Sequence, residues 1–177
     1  MTTLLTSILI GLGLSMDAFS LSLIYGTLNL SKKNILQLSI IVGICHFIMP
    51  LIGLNIGYII IKNILLEPFH LVSIIFFIIG VQMIVSDRKE EPKIFTNLWT
   101  FILFGITVSI DSFSIGIGLN IISDNIILSV IIFSIISFTF TYIGLLMGNK
   151  IGKKIGKYSV VIGGVILILI AIYYLTK

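Results

Sequence analysis

Charge is what this sequence has least of. Asp, Glu, Lys and Arg make up 10% of its 177 residues, against about a quarter in a soluble domain. Cysteine occurs once, at Cys45, which excludes an intrachain disulfide. One cysteine and two histidines, His46 and His70, also exclude a His/Cys-rich zinc cage. No G-x-x-x-x-G-K-[ST] phosphate loop is present, so ATP hydrolysis of that kind is excluded as well. The first apolar stretch has no Lys or Arg ahead of it and no small-residue exit, and it reads as a retained span rather than a signal peptide.

What is present is apolar. Hydrophobic residues make up 58% of the chain, and the mean hydropathy is +1.23. Apolar segments run roughly over 3–25, 36–61, 69–86, 98–121, 126–148 and 158–175. Each is near the ~20 residues a helix needs to cross a bilayer. The composition therefore predicts an all-α membrane protein with six transmembrane helices in a single domain.

The few cations are unevenly placed. Lys32, Lys33, Arg88, Lys89, Lys93, Lys150, Lys153, Lys154 and Lys157 fall in the first, third and fifth connections, while only Lys62 and Lys177 fall on the other side. Basic loops stay in the cytoplasm, so both termini are expected outside. The basic balance is an orientation signal, not a nucleic-acid footprint. Cys45, inside a span, reads as packing, and the charge run Asp87–Lys93 as a solvated loop.

Two of the rare carboxylates sit inside spans. Ser15-Met-Asp-Ala-Phe-Ser20 recurs as Ser109-Ile-Asp-Ser-Phe-Ser114. An ionised Asp at a bilayer centre costs about 2.5–3.5 kcal/mol on the lenient scale, so Asp17 and Asp111 should face an ion, a partner or water. The duplication goes further. Pro50-Leu-Ile-Gly-Leu-Asn-Ile-Gly57 lines up with Thr141-Tyr-Ile-Gly-Leu-Leu-Met-Gly148, and Ile78–Ile84 aligns more weakly with Leu169–Leu175. Repeat 1 covers about 1–86, a cytoplasmic connection about 87–97, and repeat 2 about 98–177. Three spans per repeat is an odd number, so the second copy enters from the opposite side. The expected architecture is two inverted three-helix repeats with the substrate site between them at mid-membrane.

Helical spacing puts Gly13 and Ser20 beside Asp17, and Thr107, Ser114 and Gly118 beside Asp111. Carboxylate and hydroxyl oxygens suit hard divalent ions such as Mn²⁺ or Mg²⁺. The bland alternative is that each Asp bonds only a neighbouring helix. His46 precedes Pro50 by one turn and reads either as a third metal ligand, as a proton carrier, or as a buried structural donor. Gln82, Asn55 and Asn120 are secondary amide candidates. The G-x-x-x-G pairs Gly53/Gly57 and Gly144/Gly148 read first as close helix crossings.

The paired aspartate motifs, the Pro50-Leu-Ile-Gly53 stretch followed by Gly57, and the short six-span length resemble the bacterial manganese efflux pump family (MntP). The resemblance covers nearly the whole chain. It implies an inner-membrane exporter of Mn²⁺, not an enzyme, with Asp17, Asp111 and their flanking hydroxyls handling the metal. Departures fall at His46, where the family carries Glu or Gln, at Gln82, where it tends to a basic residue, and at Ser86 in place of a glutamate. A related sporulation-membrane branch with the same aspartate motifs is the main alternative. An intramembrane aspartyl protease fits poorly, because Asp17 and Asp111 follow Met16 and Ile110. The metal site expected is Asp17, Asp111, His46, Ser20, Ser114 and Thr107, with a divalent cation as cargo and no resident cofactor. Alternating access is the expected mechanism, with protonation of the carboxylates favouring metal release outside in an antiport cycle.

Overall fold

In lipid the backbone has no water to bond, so a spanning segment closes its hydrogen bonds on itself. The computed structural model describes residues 3–28, 30–63, 67–85 and 98–176, with the backbone alone at 3, 60–63 and 149–157. Among these, every regular element is a helix: α1 (Thr3–Gly26), α2 (Lys32–Asn63), α3 (Pro68–Val85), α4 (Leu98–Val108), α5 (Ile110–Ile117), α6 (Leu119–Ile122) and α7 (Ile126–Leu175). The charge-dense 86–97 stretch and Lys177 lie outside the described residues.

The contacts give the helices their directions. Ser7 meets Ser129 and Ser15 meets Ser137, then Gly144 packs on Ser22 and Gly148 on Gly26. Numbers rise together, so α1 runs parallel to the first limb of α7, Ile126–Gly148. Gly163 packs on Gly13, while Thr6 and Leu9 share a cavity with Ile166, Ile170 and Tyr173. Here the numbers run oppositely. A straight helix of 50 residues is about 75 Å long and could not meet α1 in both senses. The chain therefore doubles back between Gly148 and Tyr158, where the glycine-punctuated basic link was expected, although helical bonding is assigned throughout.

The remaining pairs agree with a chain that crosses six times. Cys45 packs on Gly105, Pro50 on Gly116 and Gly57 on Ile117, so α2 is parallel to the α4–α5 segment. Ser73 bonds the Ala171 carbonyl and Gly80 packs on Gly164, so α3 opposes the last limb of α7. Phe69 stacks on Tyr174, whose hydroxyl lies 3.4 Å from the Ile122 carbonyl oxygen. The start of α3, the end of α6 and the last turns of the chain thus share one end of the bundle with Ser7 and Ser129.

The outer surface is apolar, as lipid requires. Leu36, Ile40, Ile44, Ile48, Ile52 and Ile56 stand exposed along α2 at every fourth residue, one helical face. With five helices long and apolar enough to cross, or six when the bent α4–α5 pair counts as one span, the protein is a multi-pass membrane protein.

One expected span is not a single helix. The 98–121 segment bends by 42° between Val108 and Ile110, and is interrupted again at Gly118. No proline is involved. The Ser109 hydroxyl donates to the Gly105 carbonyl, 2.8 Å away, while its N–H turns to the Ile106 carbonyl in a tighter 3.1 Å bond. A serine side chain competing with the backbone is a recognised cause of helix bending. Pro50, in contrast, sits inside the uninterrupted α2.

Candidate cation site

Each aspartate motif rests on a pair of glycines. A Cβ on Gly53 or Gly57 would collide with the carbonyl oxygens of Phe113 or Ile117; one on Gly144 or Gly148 would collide with those of Phe19 or Leu23. Phe19 and Phe113 follow their aspartates by two residues, and Leu23 and Ile117 by six. The two motifs are therefore gripped by matching glycines at matching positions. Only the missing side chains let the backbones come this close.

Asp17 is buried in the middle of α1, 4% exposed, between the core residues Leu14, Ala18 and Leu21. Ser20 and Ser22 are buried with it. Ser15 donates to the Gly11 carbonyl, and its oxygen lies 3.4 Å from Ser137 Oγ across the helix seam. Asp111 occupies the first turn of α5, just past the bend. Its Oδ1 accepts the Ser112 N–H at 2.7 Å and lies 3.5 Å from the Ser112 hydroxyl. Asp111 and Ser114 are half-buried, so Asp111 is the more open of the two aspartates.

His46 is fully buried, with Nδ1 3.0 Å from the Val42 carbonyl oxygen. Thr107 is exposed and donates to the Leu103 carbonyl at 2.8 Å. The spacing that set Thr107 on the Asp111 face assumes an unbroken helix, and the bend at Ser109 intervenes. Gln82, Asn55 and Asn120 are also exposed, and the Asn55 amide donates back to Leu51.

Among the described residues, no three His, Cys, Asp or Glu side chains gather closely enough to hold a metal ion together. The two aspartates of the repeated motif stand on separate helices, α1 and α5. Ser112, which contacts Asp111, has no place in the expected ligand set. Its signal was its position beside the carboxylate, where Ala18 stands in the first motif. Ser137 was likewise hidden, because nothing in a run of apolar residues marks which serine faces α1.

No solved structure matches the chain. The family described as "Putative manganese efflux pump" matches residues 29–175. Relatives carrying the name "Putative manganese efflux pump MntP" include one from Bacillus velezensis, 37% identical over 88% of this chain and 85% of its own length. Another, from Oceanobacillus iheyensis, is 34% identical over 93% of this chain and 91% of its own. A third, from Methanocorpusculum labreanum, is 34% identical over 98% and 96%. Family coverage on this scale, with relatives 34–37% identical over most of both chains, means that this protein belongs to the manganese efflux pump (MntP) family.

Proposed function

We propose that the protein exports divalent transition-metal cations, Mn²⁺ first among them, from the cytoplasm across the inner membrane. The observation that carries the reading is the doubled S-x-D-x-F-S motif, each copy gripped by an equivalent glycine pair. The matched grips support two inverted repeats of three spans each, with Asp17 and Asp111 as the corresponding cation ligands. Two carboxylates balance a dication that has shed part of its water, and Ser20, Ser112 and Ser114 add neutral oxygens nearby. Oxygen donors of this type suit Mn²⁺. Metal enters from the side of Lys32 and Lys33 and leaves on the side of both termini. The halves rock about the site in alternating access, and protons taken up by the vacated carboxylates return the carrier.

The bend at Ser109 has a place in this scheme. Interrupted helices in carriers present unwound carbonyls and helix ends to their ions, and here the interruption falls two residues before Asp111. The test is cellular metal content in an Mn-sensitive strain expressing the protein under excess Mn²⁺. Wild type should lower cell Mn, and Asp17→Asn or Asp111→Asn should abolish the effect at equal membrane abundance. Unchanged Mn with wild type present and inserted would remove the exporter reading and leave a membrane protein without transport.

A further inference from the structure

The ring of His46 has two nitrogens in different situations. Nδ1 lies 3.0 Å from the Val42 carbonyl oxygen. A carbonyl only accepts, which assigns the hydrogen to Nδ1 and leaves Nε2 of the neutral ring as a bare lone pair. Nε2 is buried and has no hydrogen-bond partner among the described residues. An acceptor in that position calls for a donor, a water or a cation.

Four hydroxyls, on α1, α2, α7 and the α4–α5 bend, have their single protons committed. Ser39 donates to Ile35, Ser109 to Gly105, Ser134 to Gly43 and Ser15 to Gly11, all to backbone carbonyls. His46 also stands at the level of the aspartate motifs. Its neighbour Cys45 packs on Gly105 and Pro50 packs on Gly116, so the register of the parallel helices sets His46 opposite the stretch between them, which holds Asp111. One turn earlier on the same helix, Val42 shares a core cluster with Ala18 and Val108, which adjoin Asp17 and Ser109 in sequence.

An imidazole held through Nδ1–H on a backbone carbonyl, with Nε2 unengaged, has the orientation that metal-binding histidines take from their supporting bonds. We infer that Nε2 of His46 donates to the transported ion, so that the cargo is a first-row transition metal, and that Mg²⁺ and Ca²⁺ are selected against at this nitrogen. The inference rests on the exporter reading and adds a selectivity element to it. Carboxylate and hydroxyl oxygens alone do not separate Mn²⁺ from Mg²⁺, whereas imidazole suits the transition metals and not the hard s-block ions.

The experiment uses the full-length protein in lipid nanodiscs, loaded with Mn²⁺ and observed by pulsed electron paramagnetic resonance. Wild type should show nitrogen modulation of the Mn²⁺ signal that changes when histidine is labelled with ¹⁵N. His70→Gln should leave it unchanged, because His70 is exposed at the start of α3. His46→Asn keeps an N–H for Val42 and removes the donor. It should abolish the modulation and weaken Mn²⁺ binding about tenfold or more, with competition by Mg²⁺ relatively strengthened. His46→Gln offers an oxygen near the same place and should recover Mn²⁺ binding more than Co²⁺ binding. Bound Mn²⁺ that is lost in Asp17→Asn yet shows no nitrogen coupling in wild type overturns the His46 inference and leaves the exporter standing. Failure of wild type to bind Mn²⁺ at all sinks both. The labelled wild-type spectrum decides the matter even if a His46 variant does not fold.

Discussion

Ser15 and Ser109 hold equivalent places in their helices, four residues after a glycine and two before an aspartate, and they behave differently. Both hydroxyls donate to the glycine carbonyl one turn back. Yet α1 passes through Ser15 as one helix, while the chain bends by 42° at Ser109. The separating detail is the main chain, where the Ser109 N–H has moved to the Ile106 carbonyl. The same local chemistry is thus compatible with a continuous and an interrupted helix. Backbone N–H and hydroxyl compete there for a carbonyl within the roughly 1 kcal/mol of one hydrogen bond.

Removing the hydroxyl should tip that balance. Ser109→Ala leaves the Gly105 carbonyl free to take the Ser109 N–H, as in an ordinary helix. We expect slower amide exchange over Gly105–Phe113 and at least a severalfold loss of Mn²⁺ export. Ser15→Ala, in a helix that is already continuous, should change exchange much less. Hydrogen–deuterium exchange on the two variants in nanodiscs checks this. Equal effects at both positions would show that the bend does not depend on the serine.

The glycine grips allow a sharper stability test. Gly53→Ala and Gly144→Ala each drive a methyl onto main-chain oxygen, of Phe113 and Phe19 respectively, and a backbone cannot step aside as a side chain can. Overpacking of this kind costs about 1–3 kcal/mol. Gly11 is the contrast. Its added Cβ would meet side-chain atoms, of Ile136 at 3.0 Å, Phe133 at 3.3 Å and Ile132 at 3.7 Å, and Ala is the better helix former by about 1 kcal/mol. Thermal unfolding in detergent should therefore drop clearly for Gly53→Ala and Gly144→Ala, by similar amounts, and little or not at all for Gly11→Ala.

The two aspartates should differ in their tolerance of a longer arm. Asp17 is 4% exposed in the middle of α1, so the extra methylene of Asp17→Glu displaces the carboxylate. Asp111 is half-buried beside the bend, where Glu can find another rotamer. Export measured as cell Mn content should vanish in Asp17→Glu and persist in part in Asp111→Glu. The reverse order would mean that Asp111 is the more constrained partner in the working state.

The spans were legible because apolar length is a coarse signal that lipid enforces, and α1 and α3 end within a residue or so of where polarity returns. The glycine pairs were legible as a spacing, but not that they grip the motif backbones, since that needs the partner helix. The break at Ser109 was invisible because serine is compatible with a helix and bends it only when its hydroxyl wins a carbonyl. That one event also explains Thr107, which a continuous 3.6-residue period carries onto the Asp111 face. His46 could be picked out as a rare residue in an apolar run. Its fixed tautomer and unoccupied Nε2 could not, because both depend on which carbonyl lies one turn away and on what does not lie opposite.

Orientation in the membrane can be tested with the same geometry. Thr27, exposed at the end of α1, adjoins the first connection with Lys32 and Lys33, while Asp124 is exposed in the turn between α6 and α7. That turn shares its end of the bundle with the beginning and end of the chain, through Ser123 bonded to Ser129 and Ser129 to Ser7. The orientation proposed from the excess of Lys and Arg has the first connection in the cytoplasm and hence the Asp124 turn outside. Cys45 is the sole cysteine, so a Cys45→Ser background gives a clean reporter. In intact cells, Asp124→Cys should react with a membrane-impermeant maleimide and Thr27→Cys should not, until the membrane is opened. Labelling of Thr27→Cys alone in intact cells would invert the protein, and export would then have to run from the termini side toward the basic loops.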